Sequence, residues 1–174
     1  QMERAEVPTV ICFNKEDLVT EEKKKELAWI YESAGYKVIF TSTLNKEGVI
    51  AVEKVLKGKV TTVAGPSGVG KSTLVNCLQE ETVMETGAIS EKIERGKHTT
   101  RHSQLIAIGD DTYIFDTPGF SSLSVSDLLP AELTKSFPEF EAYEEKCRFL
   151  GCAHIHEPDC GVKNALDEGK ISKE

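Results

Sequence analysis

Short apolar runs and longer amphipathic stretches alternate along this chain. The apolar runs predict strands in three places, at residues 8–13, 36–41 and 59–64. The stretches that follow them predict helices at residues 21–33, 46–56 and 71–78. Two later runs, at residues 104–109 and 112–115, are joined by Asp110 and Asp111 and are typical of a hairpin. The pattern predicts an α/β fold with parallel strands and one antiparallel edge.

The chain changes character near residue 122. Residues 123–146 are acidic and predict helix, and the residues after Cys147 are rich in Cys and His. We therefore expect a domain at residues 1–122 and a small helical, metal-held module at residues 123–174. The five cysteines are an odd number, which argues against a disulfide framework.

The overall charge narrows the class of partner. The chain has 29 acidic and 21 basic residues, a formal net charge of −8, which argues against broad nucleic-acid binding and gives no reason to expect DNA as a partner. No apolar run approaches the length that crosses a membrane, and no signal peptide is visible. A cytoplasmic monomer is therefore expected.

Residues 65–72 read GPSGVGKS and match the phosphate-loop pattern GxxxxGK[ST] between a predicted strand and a predicted helix. Glycines let backbone N–H groups wrap round phosphates, and the helix directs its positive end toward them. Lys71 would bridge the β- and γ-phosphates as a catalytic residue, and the Ser72 hydroxyl would bind Mg²⁺. The predicted nucleotide ligands here are Gly65, Pro66, Ser67, Gly68, Val69, Gly70, Lys71, Ser72 and Thr73.

A second motif selects the base, because the sequence NKED matches the NKxD box at the end of a predicted strand. The Asp17 carboxylate can accept hydrogen bonds from N1–H and the exocyclic amine of guanine, whereas adenine offers no such pair. Asn14 would fix the loop and contact the base edge, and the Lys15 stem would lie along the ring. The run Thr41-Ser42-Thr43 ends the next strand, where base-contacting residues usually stand, and Ser42 and Thr43 are the predicted contacts of this run. GTP and GDP are the expected ligands.

Two further segments predict the switch elements. Asp116 begins DTPG, which matches DxPG: this carboxylate would hold Mg²⁺ through water, and the Gly119 N–H would bond the γ-phosphate. In the polar stretch before it, either Thr99 or Thr100 completes Mg²⁺ coordination. We assign Thr100 to that role beside Ser72.

Phe120 follows DTPG, where many GTPases place a glutamine that orients the attacking water. Phenylalanine can neither accept nor donate a proton, so another group must position the water. His98 neighbours the switch threonines and can accept a hydrogen bond when neutral, so we predict it as a catalytic residue. Contact with a partner or with solvent is the alternative for this side chain.

The motif order is a circular permutation of that in ordinary small GTPases, because the guanine box precedes the phosphate loop. In this order, and in the segments GPSGVGKS, RGKHTT and DTPGF, the chain resembles the ribosome small-subunit-dependent GTPases A, a family of assembly factors. The resemblance implies a circularly permuted P-loop GTPase domain followed by a helical zinc-binding module. It also implies late maturation of the small (30S) ribosomal subunit, with contact to its rRNA, hydrolysis stimulated by the subunit and release after GTP hydrolysis.

The Cys/His cluster offers three thiolates and one imidazole, a set that matches a closed structural Zn²⁺ site. The predicted ligands are Cys147, Cys152, His154 and Cys160. His156 is a competing ligand with similar spacing, and the family pattern selects His154. Metal binding would supply folding energy to a module with little core of its own.

The family also carries an N-terminal OB-fold and a strand upstream of the NKxD strand, and neither is seen here. We therefore expect a fragment with a gap in the sheet between the NKxD strand and the phosphate-loop strand. Three other functions are alternatives for this sequence. They are a sensor that distinguishes GTP from GDP with negligible hydrolysis, a permuted GTPase of the large subunit, and a P-loop ATPase or kinase. The Cys/His cluster counts against the large-subunit GTPases, which lack such a module.

Overall fold

The computed structural model of the protein describes residues 6–86, 104–116 and 133–173. Within these ranges the strands are β1 (Val10–Asn14), β2 (Lys37–Thr41), β3 (Val60–Val63), β4 (Gln104–Gly109) and β5 (Thr112–Asp116). The helices are α1 (Glu21–Ser33), α2 (Val49–Leu56), α3 (Lys71–Thr86), α4 (Glu141–Glu144) and α5 (Gly161–Asp167). Short 3₁₀ helices lie at Glu16–Leu18, Thr134–Ser136 and Pro138–Phe140. Strands alternate with helices from β1 to α3, as the α/β prediction requires.

β5 is the central strand of a three-stranded sheet. It pairs in parallel with β3 and antiparallel with β4, which confirms the predicted antiparallel edge strand. β1 and β2 form a two-stranded sheet, and in the described ranges no strand pairing joins the two sheets.

One face of the three-stranded sheet is buried with α2 and α3. Because strand residues alternate between faces, Ile106 and Ile114 are buried together while Leu105 and Phe115 are exposed on the other face. The largest apolar cluster in the described residues consists of Ile39, Val49, Val52, Leu56, Leu74, Val75, Cys77, Leu78, Ile106, Ile108 and Ile114. The α3 members of this core fix the helix that begins at the end of the phosphate loop.

The chain divides into two compact units. One comprises Cys12–Val19 and Ile39–Leu123, and it contains the apolar core just described. The other comprises Gln1–Ile11, Thr20–Val38 and Ser124–Glu174, and its core is smaller. The buried members of that smaller core are Cys160, Val162, Ala165 and Ile171. The expected division between residues 122 and 123 stays a prediction.

The start of α2 differs from the prediction. The helix begins at Val49 rather than at residue 46, because the segment before it folds back on β2. An antiparallel bridge joins Ser42 to Glu47, and Gly48 then adopts a left-handed conformation with φ of 70° as the N-cap. A helix cannot include residues held in either arrangement.

Two other helix predictions were also wrong in extent. α3 continues to residue 86, into the stretch expected to be irregular. Between residues 133 and 146, the stretch predicted to be helical consists of two 3₁₀ helices and the four-residue α4. Pro138 begins the second 3₁₀ helix, where its missing N–H and fixed φ end the preceding turn. Among the described helices, none has the length and apolar character needed to span a bilayer.

Gly48 provides a test of the packing at the start of α2. A Cβ there would press on the Phe40 carbonyl oxygen and lie 3.1 Å from Thr41 Cα, whereas a Cβ on Gly58, at φ of 69°, meets nothing within 4 Å. Gly58→Ala adds only left-handed strain and should lower the free energy of unfolding by about 1 kcal/mol. Gly48→Ala adds a backbone clash and should cost about 3 kcal/mol in urea denaturation. Equal losses would contradict the close approach.

Candidate functional site

The phosphate loop is a glycine-rich turn between β3 and α3. Gly68 and Gly70 have φ of 81° and 96°, a conformation that glycine adopts without steric cost. The Leu74 N–H donates to the Gly70 carbonyl at 2.9 Å, so helical bonding begins where the loop ends. The loop backbone therefore lies at the N-terminal end of a 16-residue helix, whose dipole favours an anion there.

Lys71, the first residue of α3, folds its side chain back across this loop. The Nζ atom donates to the Gly65 carbonyl at 2.7 Å and to the Pro66 carbonyl at 2.9 Å. The ammonium is thus held over the turn by two backbone acceptors. In nucleotide complexes of this motif, the lysine ammonium contacts phosphate oxygens.

Asn14, the last residue of β1, links both base-reading segments to the phosphate loop. Its Nδ2 donates to the Val69 carbonyl at 2.9 Å, and its Oδ1 accepts from Thr41 Oγ1 at 3.2 Å and from the Thr43 N–H at 3.3 Å. The fit is close, because a Cβ on Gly70 would press on Asn14 Nδ2. These contacts support the predicted role of Asn14 in fixing the loop.

Lys15 and Asp17 follow Asn14 on a tight turn. Lys15 has φ of 69°, and its Nζ donates to the Gly68 carbonyl at 3.0 Å, a second contact with the phosphate loop. Asp17 is exposed, and its Oδ1 accepts from Ser42 Oγ at 2.5 Å. Ser42 is fully buried and also accepts from the Asn45 N–H at 3.3 Å, so its hydroxyl holds the carboxylate in one orientation.

Two residues that support this site were not among the predicted site residues. Thr41 is fully buried at the end of β2, and its hydroxyl donates to Asn14. Its signal was the Thr-Ser-Thr run, of which only the last two members were selected. The Sγ atom of Cys77 in α3 lies 3.9 Å from the Thr43 carbonyl oxygen, and no sequence motif predicts this contact.

Most of the predicted switch residues lie outside the part of the chain that the structure describes. His98, Thr99, Thr100 and Gly119 lie outside the described residues. The backbone of Asp116 ends β5, where its register partner is Val63, the last residue of β3. The start of the DTPG segment and the start of the phosphate loop therefore leave the sheet side by side.

The four predicted metal ligands are brought together in the second unit. The ligand atoms of Cys147, Cys152, His154 and Cys160 all lie within 4.8 Å of one another. Cys147 Sγ is 3.9 Å from Cys160 Sγ and 3.7 Å from His154 Nδ1, which is 3.3 Å from Cys160 Sγ. A tetrahedral zinc ion requires S···S and S···N separations of about 3.8 and 3.5 Å. The donor set therefore fits zinc.

Backbone N–H groups point at two of these sulfurs. The Gly161 N–H donates to Cys147 Sγ at 3.3 Å, and the Lys163 N–H donates to Cys160 Sγ at 3.4 Å. Burial alone would raise the pKa of Cys160, but the Lys163 N–H, His154 and the other thiols outweigh it and lower that pKa to about 7. Burial raises the pKa of Cys152 to about 11. Of these two thiols, Cys160 is therefore the one that is more readily converted to a thiolate ligand.

Glu157 fastens the loop that carries His154. Its carboxylate accepts from the N–H groups of Ala153 at 2.9 Å, Ile155 at 3.2 Å and His156 at 3.1 Å. The N–H of Ala153 contributes most, followed by the N–H of Glu157 itself, and with the N–H groups of Ile155 and His156 they lower the pKa of Glu157 to about 2. His156, the competing ligand, is exposed and is not a member of the four-residue cluster.

The metal cluster also forms part of the small core of this unit. Cys160 is buried there with Val162, Ala165 and Ile171, while Cys147 and Cys152 pack against them. All five cysteines of the chain are free thiols. A core with so few buried side chains is marginal without a metal or a disulfide.

Comparisons of the sequence and of the structure with known proteins point to one family. The model of the RsgA GTPase family matches residues 1–126. The small ribosomal subunit biogenesis GTPase RsgA of Agathobacter rectalis is 62% identical over 172 residues, which cover 99% of this chain and 57% of that protein. The protein of the same name from Alkaliphilus metalliredigens is 50% identical over 169 residues, covering 97% and 58%. The chain therefore spans somewhat more than half the length of these relatives.

Two solved structures share the fold. The crystal structure of YjeQ from Thermotoga maritima matches with a TM-score of 0.78 and 36% identity, over 99% of this chain and 57% of that one. The structure of YloQ, described as a circularly permuted GTPase, matches with a TM-score of 0.74 and 32% identity, over 99% and 54%. The fold is that of the circularly permuted GTPases, and the chain belongs to the RsgA GTPase family.

Proposed function

We propose that this chain is the nucleotide-binding and zinc-binding part of an enzyme that hydrolyses GTP to GDP and phosphate. The observation that carries this proposal is the direct bonding of the guanine box to the phosphate loop. Asn14 and Lys15 each donate to a loop carbonyl, at 2.9 and 3.0 Å. The two motifs therefore lie at one place, where a single nucleotide can engage both.

Guanine would be selected by Asp17. Its carboxylate is oriented by Ser42 and stands at the surface, where it can accept from N1–H and the exocyclic amine of the base. The Lys15 stem, drawn toward Gly68, would lie along the ring between base and loop. Adenine would leave the carboxylate without these donors, so ATP is disfavoured.

The phosphates would bind at the turn before α3. The loop backbone and the helix dipole favour the β-phosphate, and Lys71 would exchange its carbonyl acceptors for β- and γ-phosphate oxygens. Ser72, with Thr100 and Asp116, would hold Mg²⁺, which neutralises charge on the phosphates. His98 would position the attacking water because Phe120 cannot.

The cellular role is inferred from the relatives, which are named as small ribosomal subunit biogenesis GTPases. We extend that role to this chain, with the small subunit and its rRNA as partners in the cytoplasm. Zinc held by the four-residue cluster would keep the second unit folded. We also propose that the protein acts as a monomer and that it does not bind DNA.

The hydrolysis rate in the presence of ribosomal subunits tests this proposal. Slow GTP hydrolysis by the intact protein should rise at least about tenfold when purified small subunits are added, because a partner-supplied arrangement of switch residues typically gives far more than that. Large subunits at the same concentration are the control. Negligible rates in all samples would instead support a sensor of GTP against GDP, and stimulation by large subunits alone would contradict the partner assignment.

Asp17→Asn tests guanine recognition. Loss of two hydrogen bonds to a charged acceptor should weaken GDP binding by roughly 100-fold, while xanthosine diphosphate should bind the variant better than GDP. Glu16→Gln, a neutralising change at the adjacent residue, is the matched control and should leave GDP affinity within about twofold. Nucleotide titration by fluorescence or calorimetry measures both. Unchanged GDP affinity in Asp17→Asn would remove the guanine assignment.

A further inference from the structure

The imidazole of His154 has one nitrogen among the metal ligands and one outside them. The side chain is only 6% exposed, and its Nδ1 lies 3.3 Å from Cys160 Sγ. Its Nε2 on the other side of the ring is buried and makes no hydrogen bond. A buried polar atom in this condition calls for a partner, because its desolvation is otherwise uncompensated.

A carboxylate stands next to that nitrogen. Glu144 Oε1 lies 3.5 Å from His154 Nε2, and the Glu144 side chain is 45% exposed, so it retains contact with water. This distance is slightly longer than an ordinary N–H···O bond, and a small rotation of the side chain would close it. Glu144 also ends α4, and its backbone carbonyl accepts from the Cys147 N–H at 3.0 Å. One residue therefore contacts two members of the cluster.

The chemistry of imidazole explains why a contact between Glu144 and His154 would matter to a metal site. A histidine that ligates a metal through Nδ1 is neutral and carries its proton on Nε2, which then needs an acceptor. We propose that Glu144 is a positioning residue of the metal site, whose carboxylate accepts a hydrogen bond from the Nε2–H of His154 and so orients Nδ1 toward the metal. The inference rests on the proposed zinc site. It adds a residue outside the Cys/His motif to that site.

Other groups near His154 have different tasks. The Phe140 ring contacts the imidazole edge to face, with centroids 5.4 Å apart and planes at 73°, and Phe137 stacks on Phe140 at 4.9 Å. These aromatic contacts hold the ring plane but offer no acceptor. Glu157 uses its two oxygens on three backbone N–H groups of the ligand loop. Of these groups, Glu144 is thus the one placed to accept a hydrogen bond from Nε2–H.

The test compares three variants of the intact chain: Glu144→Ala, Glu144→Gln and the matched control Glu145→Ala, at the adjacent exposed residue. Each is loaded with Co²⁺ in place of zinc, and the visible ligand-field bands, the thiolate-to-cobalt band and the rate of transfer to a chelator are recorded. Glu144→Ala should release the metal about tenfold faster, since loss of an outer-sphere partner of a ligating histidine typically costs 10–100-fold. Its ligand-field bands should shift while the thiolate band keeps its intensity.

The conservative variant separates positioning from general stability. An amide oxygen still accepts a hydrogen bond, so Glu144→Gln should release Co²⁺ about threefold faster, between Glu144→Ala and the unchanged chain. Glu145→Ala should match the unchanged chain. Release and spectra unchanged in Glu144→Ala, or equal effects in Glu145→Ala, would overturn the assignment. If Glu144→Ala does not fold, an unaltered release rate in Glu144→Gln would overturn it. Failure of the unchanged chain to bind Co²⁺ or zinc would refute the metal site itself.

Discussion

The proposed nucleotide site depends on the side-chain amide of Asn14. An amide has a donor end and an acceptor end, and here the donor reaches the Val69 carbonyl while the acceptor serves Thr41 and Thr43. These bonds join the end of β1, the end of β2 and the phosphate loop. In the described strands the β1–β2 pair has no ladder to β3, so these side-chain contacts connect segments that no strand pairing joins.

The second unit obtains its order in a different way. Its small apolar core packs against a cluster of thiols, and two backbone N–H groups, with Glu157, fix the loops that carry the ligands. The ligand atoms of Cys147, His154 and Cys160 lie 3.3 to 3.9 Å from one another before any ion is considered. Metal binding would therefore add free energy to an arrangement that the chain already favours. Glu144 extends this arrangement from ligands to the groups that orient them.

The sequence predicted those parts of the fold and site that local rules govern. The bounds of α1 and β4 follow from periodicity, and the spacing of GPSGVGKS and NKED follows from what phosphates and guanine require. The late start of α2 was missed because it depends on a bridge between Ser42 and Glu47, a tertiary contact without a local signal. The contacts of Cys77 with Thr43 and of Glu144 with His154 were missed for the same reason, since each joins separate elements or loops.

Asn14 makes the predicted base-reading segments and the phosphate loop a single site. Hydrogen exchange of a peptide that covers residues 65–72, measured without added nucleotide, tests this connection. Asn14→Ala should speed exchange of the loop amides about fivefold, the effect of losing one hydrogen bond, while Asp17→Asn, which touches Ser42 rather than the loop, should leave them unchanged. Loop exchange that is the same in Asn14→Ala and in the unchanged chain would contradict the account.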